Sequence, residues 1–319
     1  MPHFMQTLVT GGGGFIGGHL TERLLREGHD VRVLDNFSTG NRANLAAVAG
    51  AVDIVEGDIQ SYERAANAAR GCEVVFHQAA LPSVPRSVQD PLTSHGVNSV
   101  GTLNLLLAAR DAGVRRVVFA SSSSVYGANP TLPKQEEMVT APISPYAVTK
   151  LAGEGFCRSF WEVYGLETVA LRYFNVFGSR QDPNSQYSAV IPKFITALFE
   201  GRSPVIHGDG EQSRDFTFID NVLDANVLVA GADAAAVAGK RFNCALGDRV
   251  TLNTLVHEMI DVIGADVQPE YVEPRPGDVK HSQADITAAR EAFGYKPSVS
   301  IAEGIRKTIA FYREPAGGR

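Results

Sequence analysis

Four consecutive glycines, Gly11 to Gly14, follow the apolar segment Thr7-Leu8-Val9-Thr10 and lead into Phe15-Ile16-Gly17-Gly18. Such a run suits neither a helix interior nor a strand interior, so it marks a turn. Two spacings overlap in it: Gly12, Gly14 and Gly17 fit GxGxxG, and Gly11, Gly14 and Gly17 fit GxxGxxG. A β-rich segment precedes the turn and an amphipathic stretch over 15–27 follows it. Backbone N–H groups and a helix N-terminus can then face a pyrophosphate. The next apolar run, Val31-Arg32-Val33-Leu34, ends in Asp35. An acid about 20 residues beyond the glycines can hold a ribose 2′-hydroxyl and repel a 2′-phosphate. The expected cofactor is therefore NAD, with Arg32 and Arg42 the two residues that leave NADP open.

The rest of the first half alternates. Strands are expected at 7–10, 31–35, 52–56, 73–77, 116–121 and 168–172, with helices between them. Short Val- and Ile-rich runs separated by helix-length amphipathic segments predict an α/β fold, a doubly wound parallel Rossmann sheet covered on both faces. Its ligand edge would carry the glycine turn, Gly57-Asp58-Ile59 after the third strand, and Ser121 to Ser124 after the fifth. Asp58 reads equally well as an adenine contact or a turn residue. After Arg172 prolines interrupt shorter elements. Residues 1–174 plus about 216–246 are expected to form the NAD-binding domain, with a helix near 220–230 and a strand near 241–245 returning to the sheet. About 175–215 plus 247–319 would form a smaller C-terminal α/β substrate-binding lobe.

Ser144-Pro145-Tyr146-Ala147-Val148-Thr149-Lys150 carries the chemistry. Ser144 suits an N-cap and Pro145 the first helical position. Residues four apart share a helix face about 5–6 Å apart at Cβ, so Tyr146 and Lys150 are neighbours. A phenol with a pKa near 10 needs a nearby cation to act as a base at neutral pH. The spacing alone also fits an ordinary surface helix; the dinucleotide motif upstream is what favours redox chemistry.

Composition narrows the partners. A net charge of −6 without a basic stripe argues against nucleic acid or an anionic membrane, and leaves room for a local basic phosphate pocket. Cys72, Cys157 and Cys244 are isolated, odd in number and form no CxxC pair, so reduced cytoplasmic thiols and no metal site are expected. The eight histidines form no HExxH motif. The first apolar run flows straight into the glycine turn, so neither a secretory signal nor a membrane span is expected.

Eight blocks in order over most of the chain then carry a resemblance: Thr10-Gly11 to Gly17, Leu34-Asp35-Asn36, His77-Gln78-Ala79-Ala80, Ser121 to Gly127, Ser144 to Lys150, Leu171 to Gly178, Gly208-Asp209-Gly210 with Arg214-Asp215-Phe216, and Arg275-Pro276-Gly277-Asp278. The chain resembles an extended short-chain dehydrogenase/reductase, and within that superfamily the nucleotide-sugar 4-epimerases. The resemblance implies an NAD-dependent UDP-sugar 4-epimerase. Tyr146 would take the proton of the sugar 4-hydroxyl, Lys150 would lower its pKa and hold the nicotinamide ribose, and Ser122 would bond the same oxygen. It further implies cofactor contacts at Gly11, Gly14, Phe15, Ile16, Gly17, Asp35, Asn36, Ser38, Asp58, Ile59, Gln78, Ala79, Ala80, Asn98 and Tyr173. Substrate contacts would come from Ser83, Ser122, Ser123, Asn175, Ala189, Val190, Arg214, Arg275, Asp278 and Ser282.

Departures from the family pattern refine the reaction. Relatives that dehydrate or decarboxylate sugars carry an acid in the block where this chain has Ser123-Ser124, so simple epimerisation is the better reading. A small residue at Ser282 implies that an N-acetyl group at C2 fits, which favours UDP-N-acetylglucosamine and UDP-N-acetylgalactosamine. Pro82, where that group is expected to have glycine, keeps UDP-glucose and UDP-glucuronate open. A net oxidoreductase would exchange its cofactor, and a non-catalytic nucleotide-binding protein would be expected to lose Tyr146 or Lys150. Helices near 98–112 and 146–164, with Leu103, Leu105, Leu106, Leu107, Phe156, Phe160 and Trp161, correspond to a dimer contact in relatives, so a homodimer is implied; burial within one subunit reads the same.

Overall fold

The computed structural model describes residues 5–182, 190–274 and 280–313. Its strands are β1 (Gln6–Thr10), β2 (Asp30–Asp35), β3 (Asp53–Glu56), β4 (Val74–His77), β5 (Arg116–Ser122), β6 (Glu167–Tyr173), β7 (Val176–Phe177), β8 (Val205–His207), β9 (Ser213–Arg214), β10 (Thr217–Phe218), β11 (Lys240–Cys244), β12 (Val250–Thr251) and β13 (Glu270–Val272). Its helices are α1 (Phe15–Arg26), α2 (Tyr62–Ala69), α3 (Val84–Gln89), α4 (Pro91–His95), α5 (Gly101–Asp111), α6 (Pro145–Tyr164), α7 (Val190–Phe199), α8 (Ile219–Gly231), α9 (Ala234–Val237), α10 (Leu252–Ile263), α11 (Thr287–Phe293) and α12 (Ile301–Arg313).

Seven parallel strands make one sheet in the order β11-β6-β5-β4-β1-β2-β3. Each predicted strand appears within two residues of its expected bounds, and the segment near 241–245 does return to the sheet, as β11 beside β6. Side chains alternate between faces along a strand. Val9, Phe76 and Val118 pack into the core shared with α1 and α8, while Leu8, Val75 and Val117 pack into the core under α2, α5 and α6. Both faces are thus buried, which is why these strands read as unbroken apolar runs. The remaining strands form three two-stranded pieces, β10 with β7, β12 with β9, and β13 with β8.

The sheet order reverses between β1 and β4, the place where open α/β sheets take ligands. Ser144 caps α6 by accepting the Ala147 N–H at 3.2 Å, and Gly165 ends it in the left-handed conformation. Of the apolar residues expected on α5 and α6, Leu105, Leu106 and Phe160 are buried in the subunit's own core. The large apolar side chains exposed on or beside these helices are Val88, Leu92, Val100, Val148, Val163 and Tyr164. Among the described residues no helix is long and apolar enough to cross a membrane, and no His, Cys, Asp and Glu group could hold a metal ion. The three cysteines are buried and free.

Candidate active site

The switch point opens into a cleft of about 1370 Å³. Gly11, at φ +73°, packs so close to the loop after β4 that a Cβ there would meet Ala79 Cα at 2.7 Å. A Cβ on Gly17 would meet the Gly11 carbonyl oxygen at 2.1 Å. Gly12, by contrast, is pressed on Val33 and does not line the cleft. The GxxGxxG spacing therefore describes the working turn. α1 starts at its edge with Gly14 as N-cap and no acidic residue in its first turn, leaving backbone N–H groups for an anion.

Asp35 closes the same wall. One carboxylate oxygen accepts the Gly13 N–H at 2.8 Å and the other the Phe37 N–H at 2.7 Å. Each oxygen keeps a lone pair for a ribose hydroxyl. Arg32 is committed to Asp53 and to the Ala68 and Arg70 carbonyls, and Arg42 to Glu56. Neither lines the cleft to receive a 2′-phosphate. Phe15, Ile16, Asn36, Ser38, Asp58, Ile59, Gln78, Ala79, Ala80, Ser83, Tyr146, Lys150 and Tyr173 complete the part of the lining that the sequence pointed to. The residues present fit NAD: a backbone anion site, an acid at the ribose position and a cleft of dinucleotide size.

At the other end, Lys150 is buried and its Nζ donates to the Ala120 carbonyl at 2.7 Å, 5.8 Å from the centre of the Tyr146 ring. Burial pulls its pKa down to about 8. Burial pushes the Tyr146 phenol up to about 12, opposed by a hydrogen bond with the Ser122 hydroxyl. Burial therefore holds the phenol neutral at pH 7.

The four serines separate by their partners. Ser121 Oγ donates to Glu154, whose carboxylate also takes a two-pronged contact from Arg172 at 2.8 and 2.7 Å. Ser122 accepts the Ser124 N–H at 3.2 Å and meets Tyr146. Ser122 and Ser123 do not line the cleft.

Asn98 sits behind the cleft wall rather than in it. Its side chain accepts the Leu81 N–H at 2.7 Å and donates to the Leu81 carbonyl at 3.1 Å and to Thr149 Oγ1 at 3.2 Å. Thr149 in turn donates to the Tyr146 carbonyl at 2.7 Å. His77, which the sequence reading left without a role, extends this network. The Thr102 hydroxyl donates to Asn98 O at 2.6 Å, so it accepts from His77 Nε2–H at 2.9 Å. His77 Nδ1 is then the acceptor for Thr10 Oγ1 at 2.8 Å. Burial pushes this imidazole down to about 3, so it stays neutral in that tautomer.

Four expected substrate residues stand elsewhere. Asn175, at φ +32°, donates to Asp215 O at 2.9 Å, and Val190 opens α7. Arg214 donates to the Ser213 and Lys280 carbonyls, and Ser282 N donates to Ser213 O at 3.0 Å, beside a second cleft of about 300 Å³ lined by Ser213, Arg249, Lys280 and His281. Ala189, Arg275 and Asp278 lie outside the described residues. The sequence reading missed Glu22, Asn44 and Arg86 and gave Arg180 and Gln181 no role at the cofactor, yet all five line the first cleft.

Residues 7–245 match the NAD dependent epimerase/dehydratase family. The chain belongs to that family. Among members of the NAD dependent epimerase/dehydratase family it is similar to a UDP-glucose 4-epimerase of Mycolicibacterium smegmatis, 43% identical over 97% of this chain and 99% of that one. It is also similar to a solved UDP-N-acetylglucosamine 4-epimerase from Methanobrevibacter ruminantium in complex with UDP-N-acetylmuramic acid, with TM-score 0.92 and 42% identity over 97% and 98% of the two chains. A Thermus thermophilus UDP-glucose 4-epimerase solved with NAD matches at TM-score 0.88 and 36% identity over 98% and 100%. NAD is the cofactor of this chain as of its family.

Proposed function

We propose that this NAD-dependent enzyme interconverts UDP-N-acetylglucosamine and UDP-N-acetylgalactosamine through a 4-keto sugar. The observation that carries the reaction type is that Tyr146 and Lys150 line one end of a dinucleotide cleft, with the Ser122 hydroxyl hydrogen-bonded to Tyr146. When bound, NAD supplies reversible hydride acceptance at C4 of the sugar. Tyr146 takes the 4-hydroxyl proton and returns it, Ser122 holds the same oxygen, and Lys150, fixed on the Ala120 carbonyl, adds positive charge that counters the burial of the phenol. Turnover of the keto sugar within the site lets the proton and hydride return on its other face, with no net redox change. Ser123 and Ser124 offer hydroxyls but no carboxylate for elimination.

Specificity for the N-acetylated sugar rests on the small Ser282, held beside the Arg214 strand, and on the similarity to the UDP-N-acetylglucosamine 4-epimerase. The similarity to the Mycolicibacterium enzyme favours a second reading, UDP-glucose and UDP-galactose. In either case the lobe of about 175–215 plus 247–319 binds the sugar nucleotide, with Arg214 on its diphosphate. The exposed Val88, Leu92, Val100 and Val148 suit a homodimer contact, and the free buried thiols suit the cytoplasm. The test is proton NMR of UDP-N-acetylglucosamine incubated with the purified protein and no added cofactor. Appearance of UDP-N-acetylgalactosamine supports the proposal; conversion of UDP-glucose or UDP-glucuronate alone refutes the specificity assigned to Ser282, and inertness toward all three refutes the reaction.

A further inference from the structure

We propose that residues 178–182 form a clasp over the NAD pyrophosphate, with Arg180 the residue whose charge slows cofactor release. This rests on the epimerase reading above, in which one bound cofactor serves every cycle. A dinucleotide diphosphate is anionic, yet the glycine turn brings no lysine or arginine of its own. Among the described residues the cations lining the cleft are Arg86, Lys150 and Arg180. Lys150 belongs to the Tyr146 end, as does Arg86 next to Ser87, whose hydroxyl accepts the Tyr146 N–H. Arg180 alone stands against α1.

Its placement there is built. Arg180 donates to Glu22 of α1 at 2.7 Å and to the Asn44 carbonyl at 3.0 Å. The Asn44 side chain in turn donates to the Gly13 carbonyl at 2.9 Å, so the guanidinium is two hydrogen bonds from the glycine turn. His19 of α1 donates through Nδ1 to the Phe15 carbonyl and accepts the Ser179 hydroxyl at 2.9 Å. The Tyr312 hydroxyl donates to the Gln181 carbonyl and pins the segment from α12. Arg180 holds φ +63°, a left-handed conformation that a long side chain adopts only when its surroundings impose it. Glu22 contributes one oxygen to the pair; the other is buried with no partner among the described residues. The contact is therefore single-pronged, and the planar fork keeps donors for an anion in the cleft. No element of the dinucleotide fold supplies this cation; the chain reaches back from beyond β7 to provide it.

The experiment follows exchange of bound NAD for isotopically labelled NAD, with no sugar present, in wild type, Arg180→Ala and Arg180→Lys. Loss of a charge-assisted contact to phosphate is expected to speed exchange about tenfold or more in Arg180→Ala, with Arg180→Lys between the two. Exchange from the wild type should accelerate with ionic strength, and that dependence should flatten in Arg180→Ala. Exchange within about twofold of wild type in Arg180→Ala overturns the proposal, as does a faster variant with an unchanged salt dependence. If Arg180→Ala does not fold, Arg180→Lys decides: exchange at the wild-type rate refutes the guanidinium. A wild type that exchanges NAD in seconds and needs added cofactor to turn over would refute the retained-cofactor reading, while the ratio of variant to wild type still judges Arg180.

Discussion

The two ends of the cleft are built on opposite principles. At the glycine turn the charges beside the ribose position are already answered: both Asp35 oxygens accept backbone N–H groups, and Arg32 and Arg42 are paired away from the cleft. At the tyrosine end Lys150 meets a neutral carbonyl and Tyr146 a neutral hydroxyl, and burial shifts Lys150 down to about 8 and Tyr146 up to about 12. The first end binds by shape and fixed dipoles, which need not change during a cycle. The second is poised to gain or lose a proton, which is what reaction at a hydroxyl requires.

The largest test of that contrast is Tyr146→Phe, which removes the proton acceptor and leaves the glycine turn intact. Turnover should fall by about 10²–10⁴-fold while bound NAD, measured after denaturation, is unchanged; a fully active variant would remove Tyr146 from the chemistry. Gly17→Ala attacks the opposite end. Its Cβ would stand 2.1 Å from the Gly11 carbonyl oxygen, so the turn must open. A loss of about 1–3 kcal/mol in the thermal unfolding of the cofactor-free protein and weakened NAD binding by calorimetry are expected; wild-type NAD affinity would break the assignment of the turn. The smallest effect is that of pH. Lys150 is protonated below about 8 and neutral above it, and only the cation helps ionise the phenol. Because the phenol itself, held up to about 12, loses its proton more readily as pH rises, the rate should climb with pH below about 8 and level off above it as the cation is lost, while NAD affinity changes little. An NAD affinity that followed the same profile would erase the contrast.

The same division governs what the sequence revealed. Strands with both faces buried announce themselves through unbroken apolar runs such as Val117 to Ala120, and Ser144-Pro145 marked the start of α6 by local chemistry alone. The choice between two glycine spacings did not lie in the glycines; it depended on Val33 packing over Gly12. Asn98 was readable as polar and near the site, yet its service to Leu81 and Thr149 appears only when three separate segments meet. Arg180 could not be placed beside the glycine turn from sequence, because its partners Glu22 and Asn44 are 158 and 136 residues away. Motifs report chemistry held within one turn of chain; they are silent about side chains whose purpose is set across the fold.

Tyr146, Lys150 and Glu154 recur every fourth residue along α6, and the last of them is bound to Ser121 of β5 and Arg172 of β6. Such a row controls the helix's rotation about its own axis. With side-chain tips about 5–6 Å from that axis, a roll of about 10° would carry the phenol oxygen about 1 Å sideways. A displacement of that size is enough to cost about a hundredfold in rate. The buried Arg172–Glu154 contact, two turns from the hydroxyl proposed to react, would then act as an angular stop on α6.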